Sequence, residues 1–207
     1  LGTDLSVANG GTGASTFTAN NVLLGNGTSA FQVIAPGSDG QVLTSTGSTW
    51  QSEAAAGGGK LVQVVNVTSG SVATGTTATP NDNTIPQSGE GTQFMTLAIT
   101  PTDSSSKLVI EVVIGSYDTN TGNYMVVALF QDSGAGAIGC ATNYMANDTG
   151  QNNKFIHYMT AGTTSSTTFK VRIGGNNGGT TTFNGRASAA KYGGALNSSI
   201  TIWEIGA

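Results

Sequence analysis

From residue 60 onward the chain is a succession of strand-length apolar runs separated by clusters of Gly, Asn, Ser and Thr, and this spacing points to an all-β fold. The runs are 60–68, 92–100, 107–117, 123–132, 136–145, 154–160, 166–174, 179–189 and 198–205. None repeats its apolar residues at the three- and four-residue intervals of an amphipathic helix. Short strands at this spacing predict an antiparallel β-sandwich of the jelly-roll type, and a segment of this length can bury about two thirds of its unfolded surface.

The runs differ in what their two faces require. In 167–173, Phe169, Val171 and Ile173 alternate with Lys170 and Arg172, which predicts a sheet with one wet face. In 107–114 both faces are apolar, Leu108, Ile110, Val112 and Ile114 on one and Val109 and Val113 on the other. The same holds for Tyr124, Val126, Ala128 and Phe130 against Met125, Val127 and Leu129. An antiparallel strand with two apolar faces needs cover on the second. A neighbouring copy in a homo-oligomer supplies it, and a fully central position within one chain is the alternative.

Residues 1–58 have a different texture. Val22-Leu23 and Val42-Leu43 stand five and four positions before Gly27 and Gly47, and Phe31-Gln32 and Trp50-Gln51 follow each glycine. This repeat predicts two successive hairpins, with Asn26-Gly27 as a two-residue turn. An isolated hairpin buries too little apolar area to hold its own backbone in order. The pattern is accounted for if three chains wrap together, each contributing Val22, Leu24, Val33, Val42 and Trp50 to a shared axial core. A disordered Gly/Thr linker is the alternative. The small-residue stretch Ser52–Lys60 reads as a joint, which divides the chain into a fibrous shaft with its linker, 1–58, and a globular part, 59–207.

Composition excludes several function classes. Charged residues make up 9% of the 207, against about 25% in ordinary soluble chains. Seven Lys and Arg with a net charge of −4 offer no basic stripe for a row of phosphates, so nucleic acid is not an expected partner. No apolar run approaches the roughly 20 residues of a bilayer span, and no membrane insertion is expected. The chain starts on Leu1 without the n- and h-regions of a leader, and is expected to be the C-terminal piece of a longer polypeptide. The single cysteine, Cys140, sits among small apolar residues and is expected to be a buried hydrophobe.

The candidate chemistry is sparse. Glu111 and Glu204 both lie within apolar strands, where burial would raise a carboxyl pKa as a glycosidic general acid requires. The alternative is an ion pair with a cation such as Lys107 or Arg186. His157 has no partner for a zinc site within the chain, although three copies could converge on a trimer axis. Asp118–Asn123, DTNTGN, begins like a calcium loop but places Gly122 where an oxygen ligand belongs, and reads better as a hairpin turn. The pairs Gly174-Gly175, Gly178-Gly179 and Gly193-Gly194 read as turns rather than phosphate cradles. No catalytic residues, metal or cofactor are expected, and the protein is not expected to be an enzyme.

The loops carry the remaining signal. Amides and carboxylates can pair with sugar hydroxyls and tyrosine can cover a pyranose face. The receptor-binding candidates are Tyr117, Asp118, Asn120 and Asn123; Tyr144, Asn147, Asp148, Gln151, Asn152 and Asn153; and Asn176 and Asn177. The alternative is that they are polar because loops are solvated.

Several stretches resemble a known family. Gly10–Ala54, GGTGASTFTANNVLLGNGTSAFQVIAPGSDGQVLTSTGSTWQSEA, is similar to the repetitive shaft near the C-termini of bacteriophage tail fibre and receptor-binding proteins. ITPTDSSSKLVIEV, TTSSTTFKVRIG and the closing SSITIWEI resemble recurrent pieces of phage fibre tips. The resemblance implies a homotrimer with a jelly-roll-like tip, located extracellularly on the virion. It also implies binding to a bacterial surface glycan or other receptor, and contact with other virion tail proteins through a preceding N-terminal part. Two alternatives stay open: a structural fibre or capsid decoration that binds no receptor, and a bacterial trimeric adhesin built from the same modules.

Overall fold

The computed structural model describes residues 5–55, 59–119, 123–146 and 149–207. The chain divides into two compact units, Leu1–Gly57 and Gly58–Ala207.

The first unit holds two hairpins. Strand β1 (Val22–Leu24) pairs with β2 (Gln32–Ile34), and β3 (Gln41–Ser45) pairs with β4 (Trp50–Ala54). Leu24 lies opposite Gln32 and Thr44 opposite Gln51, so the repeat survives in register with one residue fewer between the equivalent pairs of the second hairpin. The first turn is longer than the two residues expected at Asn26-Gly27. Asn26 O accepts from Ser29 N at 3.1 Å while Asn26 Nδ2 donates to Ala30 O at 3.0 Å, so the asparagine braces a seven-residue loop.

The register also corrects the expected axial core. Successive strand residues face opposite sides, so Val33, opposite Leu23, cannot share a face with Val22 and Leu24. Trp50, opposite Ser45, is likewise out of phase with Val42. Val22, Leu23, Val33, Val42, Leu43 and Trp50 are all 41–48% exposed. Each ribbon therefore carries apolar side chains on both faces.

The second unit is built from β5 (Leu61–Ser69), β6 (Ala73–Gly75), β7 (Thr92–Ile99), β8 (Lys107–Thr119), β9 (Asn123–Gln131), β10 (Gly139–Met145), β11 (Gln151–Thr160), β12 (Thr167–Gly175), β13 (Thr181–Phe183), β14 (Gly185–Arg186), β15 (Ala189–Ala190) and β16 (Ser198–Ile205). One sheet runs β10-β9-β12-β7 and the other β5-β16-β8-β11, with β13 and β6 extending from the end of β8. Counting the eight long strands in chain order, one sheet reads first, eighth, third, sixth and the other fifth, fourth, seventh, second. All pairings are antiparallel. This is the strand order of a jelly roll, as the strand spacing predicts.

The core lies between the sheets. Leu108, Ile110, Val112 and Ile114 of β8 meet Met125, Val127 and Leu129 of β9, Phe169, Val171 and Ile173 of β12, and Ile200 and Ile202 of β16, all fully buried. Burying each such side chain contributes about 1.5–3 kcal/mol relative to leaving it exposed. Lys170 and Arg172 take the other face of β12, where Lys170 Nζ donates to Asp132 O and Arg172 Nε to Glu90 O.

The second apolar face of β9 is buried within this chain. Val126, Ala128 and Phe130 pack with Ala137, and the segment carrying Ala137 is tied to 86–88 by Ala137 N to Pro86 O (2.8 Å) and Ser88 N to Ala135 O (2.7 Å). At β9 the central-strand alternative therefore accounts for the pattern. On β8, Val109 and Val113 are half-buried, with exposed Tyr158 opposite Val109 and exposed Ile156 one position along.

Three further expectations change. The run 179–189 is not one strand: it breaks at Asn184, whose φ of +55° turns the chain between β13 and β14. Cys140 is exposed rather than buried, because it lies on the outward face of the edge strand β10, opposite Ala128. The 118–123 stretch joins β8 in one sheet to β9 in the other and so does not close a hairpin.

Candidate functional site

The three loop groups read from the sequence come to one end of the jelly roll. Met145 at the end of β10 pairs with Asn123 at the start of β9, Gly175 at the end of β12 pairs with Met125, and Gln151 at the start of β11 pairs with Tyr117. Here lies a half-open cleft of about 460 Å³ lined by Gly115, Gly150, Gln151, Asn152, Arg186, Lys191, Tyr192 and Leu196.

One wall of the cleft is a small hairpin with unusual turn residues. Gly185 pairs with Ala190 and Arg186 with Ala189, leaving Ala187 and Ser188 as a two-residue turn with φ of +50° and +58°. Two positive φ values are what the tight I′ hairpin turn requires, and Asn-Gly is its favoured sequence. Ser188 N donates to Thr182 Oγ1 at 3.0 Å and holds the turn against β13. Asn184 anchors its base: fully buried, it donates from Nδ2 to Ser69 O (2.7 Å) and Ser71 O (3.2 Å) and accepts from Ser198 Oγ (2.6 Å). Ser198 Oγ in turn accepts from Gly115 N at 3.1 Å. Beyond the hairpin, Tyr192 has φ +49° and is 84% exposed.

Among the described residues, the side chains of Arg186 and Lys191 make no hydrogen bond or ion pair. By contrast, Lys107 donates to Thr160 Oγ1 and Lys154 pairs with Glu111. Two cations, two amides and an exposed phenol in one recess can hold a polar ligand that presents hydroxyls, an apolar ring face and negative charge.

The candidate residues sort into several roles. Gln151 and Asn152 line the cleft. Tyr117 is fully buried and cannot serve as a surface platform, because its strand position faces the core; burial pushes its pKa up, and its hydroxyl accepts from Asn143 Nδ2 (3.1 Å) and Asn153 Nδ2 (3.3 Å). Asn153 therefore acts in the scaffold. Asn176 braces a loop, its Oδ1 accepting from Tyr124 N (2.9 Å) and its Nδ2 donating to Asn177 Oδ1 (3.0 Å). Tyr144 is exposed and meets Tyr124 edge-on, with ring centroids 5.2 Å apart. Asp118 and Asn123 occupy strand positions opposite Thr182 and Met145. Asn120, Asn147 and Asp148 lie outside the described residues. Sequence reasoning missed Lys191 and Tyr192 and treated Arg186 as a structural cation. The available signal was two of seven basic residues five positions apart in a Gly-rich stretch around a tyrosine.

The two carboxylates do not form a pair. Glu111, opposite Thr201, takes the outer face and pairs with Lys154 rather than Lys107 or Arg186. Glu204, opposite Leu108, points inward and is fully buried. Burial alone would raise its pKa, but hydrogen bonds from Gln63 Nε2 (2.5 Å), Thr102 Oγ1 (2.8 Å) and Thr102 N (2.9 Å) bring it down to about 2. An ionised carboxylate is the opposite of a general acid. His157 is half-buried on β11, and burial lowers its pKa. Among the described residues no three His, Cys, Asp or Glu side chains converge on a point.

Fold and cleft together define an all-β jelly-roll domain preceded in the chain by a two-hairpin unit. No protein-family model and no curated protein sequence matches the chain. Weak structural neighbours include viral chains. The infectious bursal disease virus Gx strain structure matches at TM-score 0.32 and 11% identity, over 80% of this chain and 41% of that one. The enzymatically active domain of bacteriophage CBA120 tailspike protein 4 matches at TM-score 0.25 and 15% identity, over 63% and 20%. Dimeric latent PorU from Porphyromonas gingivalis matches at TM-score 0.34 and 10% identity, over 99% and 21%. The chain spans about two fifths of the bursal virus chain and one fifth of the other two.

Proposed function

We propose that this chain is the distal part of a phage fibre that attaches the virion to its bacterial host by binding a cell-surface glycan, without catalysis, through a homotrimeric jelly-roll tip. The observation that carries this reading is a cleft at the loop-bearing end of the sandwich, lined by the amides of Gln151 and Asn152 and by the exposed Tyr192. Self-association is supported by the first unit, whose hairpins leave apolar side chains exposed on both faces. Three weak sites on one tip, repeated over several fibres, bind a cell through effective concentration.

Three measurements test it. Purified protein is expected to compete with virions for adsorption to host cells and to bind saccharides on a glycan array; failure of both on an intact assembly overturns receptor binding. Native mass measurement is expected to find three copies of the 20.7 kDa chain. A monomer overturns the trimer and the avidity argument with it.

A further inference from the structure

Two of the chain's few cations line the cleft beside the β14–β15 hairpin. The chain has seven basic side chains and a net charge of −4. Four of the seven are engaged by neighbouring groups: Lys107 by Thr160, Lys154 by Glu111, Lys170 by Asp132 O and Arg172 by Glu90 O. The side chains of Arg186 and Lys191 have no partner among the described residues, and both residues line this one recess. No carboxylate lines the recess among the described residues.

The backbone that presents them is held in place against its preference. Ala187, Ser188 and Tyr192 all have positive φ, a conformation that residues other than glycine adopt rarely and at a cost. The buried Asn184 and Ser198 contacts maintain it. Arg186 is thus fixed on a tight turn and not carried on a loose loop. A planar guanidinium matches a carboxylate or phosphate by paired hydrogen bonds.

We infer that this cleft binds an anionic saccharide, a sugar unit bearing a carboxylate or a phosphate. Arg186 and Lys191 hold the anion, Gln151 and Asn152 the neighbouring hydroxyls, and the Tyr192 ring the apolar face of the sugar. The inference rests on the glycan-binding reading and adds to it the charge of the ligand. Two cations without a stripe cannot neutralise a row of phosphates, so a nucleic acid does not fit.

The test is binding of the intact assembly to matched saccharide pairs at low salt: galacturonate oligomers against galactose oligomers, and mannose 6-phosphate against mannose. The acidic member of at least one pair is expected to bind about tenfold more tightly; the first pair identifies a carboxylate ligand and the second a phosphate ligand. Arg186→Gln/Lys191→Gln is expected to bring the acidic member of the pair down to the affinity of its neutral counterpart. Gln151→Ala/Asn152→Ala, with the cations intact, is expected to weaken both members alike. Unchanged thermal midpoints establish that the variants are folded. Equal binding of acidic and neutral members overturns the inference and leaves glycan binding standing. Binding of neither class overturns both, and a preference that survives the charge-removing double variant overturns its assignment to this cleft.

Discussion

Ser198 donates its hydroxyl to Asn184 Oδ1 at 2.6 Å, joining the first residue of the last strand to the residue at which β13 breaks. Asn184 also donates to the carbonyls of Ser69 and Ser71. Three segments far apart in sequence therefore meet at one buried amide, and the hairpin that carries Arg186 begins at the next residue. Asparagine suits the position twice, because it tolerates a φ of +55° and its side chain bonds two backbone carbonyls and a buried hydroxyl at once.

Asn184→Ala is expected to destabilise the protein by about 2 kcal/mol, because it leaves the buried Ser198 hydroxyl without its acceptor and removes the amide that lets asparagine tolerate positive φ. Chemical denaturation measures it. A loss below about 1 kcal/mol would mean that the bonds seen here do not anchor the wall.

The Ala187-Ser188 turn has the backbone of a tight hairpin without its favoured residues. Ala187→Asn/Ser188→Gly is expected to raise stability by about 1 kcal/mol, since Asn and Gly adopt positive φ with little strain. The Ser188 N bond to Thr182 Oγ1 belongs to the backbone and survives the change. A fall in the thermal midpoint would contradict the strain argument.

Glu204 should make stability depend on acid. Its carboxyl pKa is about 2 in the fold against 4.5 in the reference state, so the folded form binds the proton less readily than the unfolded chain. Its contribution is therefore present above pH 4.5 and lost as pH falls from there toward 2. Glu204→Gln is expected to cost about 2 kcal/mol at neutral pH, through weaker acceptance from Gln63 and Thr102. It should also flatten the acid limb of the midpoint against pH. An unchanged limb would show that other groups control acid stability.

Gly174 lies within β12, where a turn was expected, and its role is close approach. A β-carbon there would stand 2.6 Å from Thr77 O and 2.9 Å from Gly91 Cα, both backbone atoms. Gly174→Ala is expected to cost about 2 kcal/mol, as overpacking does when the backbone must shift. Urea titration reads it, and a neutral result would mean that the 77–91 segment is loosely held.

Much of the fold was legible in the sequence because strand formation is a local matter. Alternation in Phe169–Ile173, the apolar run at 107–114 and the Gly, Asn and Ser clusters between them place eight strands to within a few residues. The hairpin repeat was legible too, since Val22-Leu23 and Val42-Leu43 recur with the same glycine offset. Register was not. Whether Val33 shares a face with Val22 depends on how many residues the turn consumes, and one residue reverses every side chain. The same limit hid the burial of Tyr117, which looked like a loop residue and is a strand residue facing the core.

The site divides along the same line. The sequence by itself determined the chemical resources of the chain: few charges, many amides, scattered tyrosines and an all-β backbone. Only the tertiary structure decided that Gln151, Arg186, Lys191 and Tyr192 face one recess, that Glu111 and Glu204 point to opposite sides of a sheet, and that β9 is covered by its own chain. The physical reason is that these relationships depend on which strands become neighbours. Strand neighbours are selected by packing two apolar faces together across the whole domain, and no local stretch of residues contains that information.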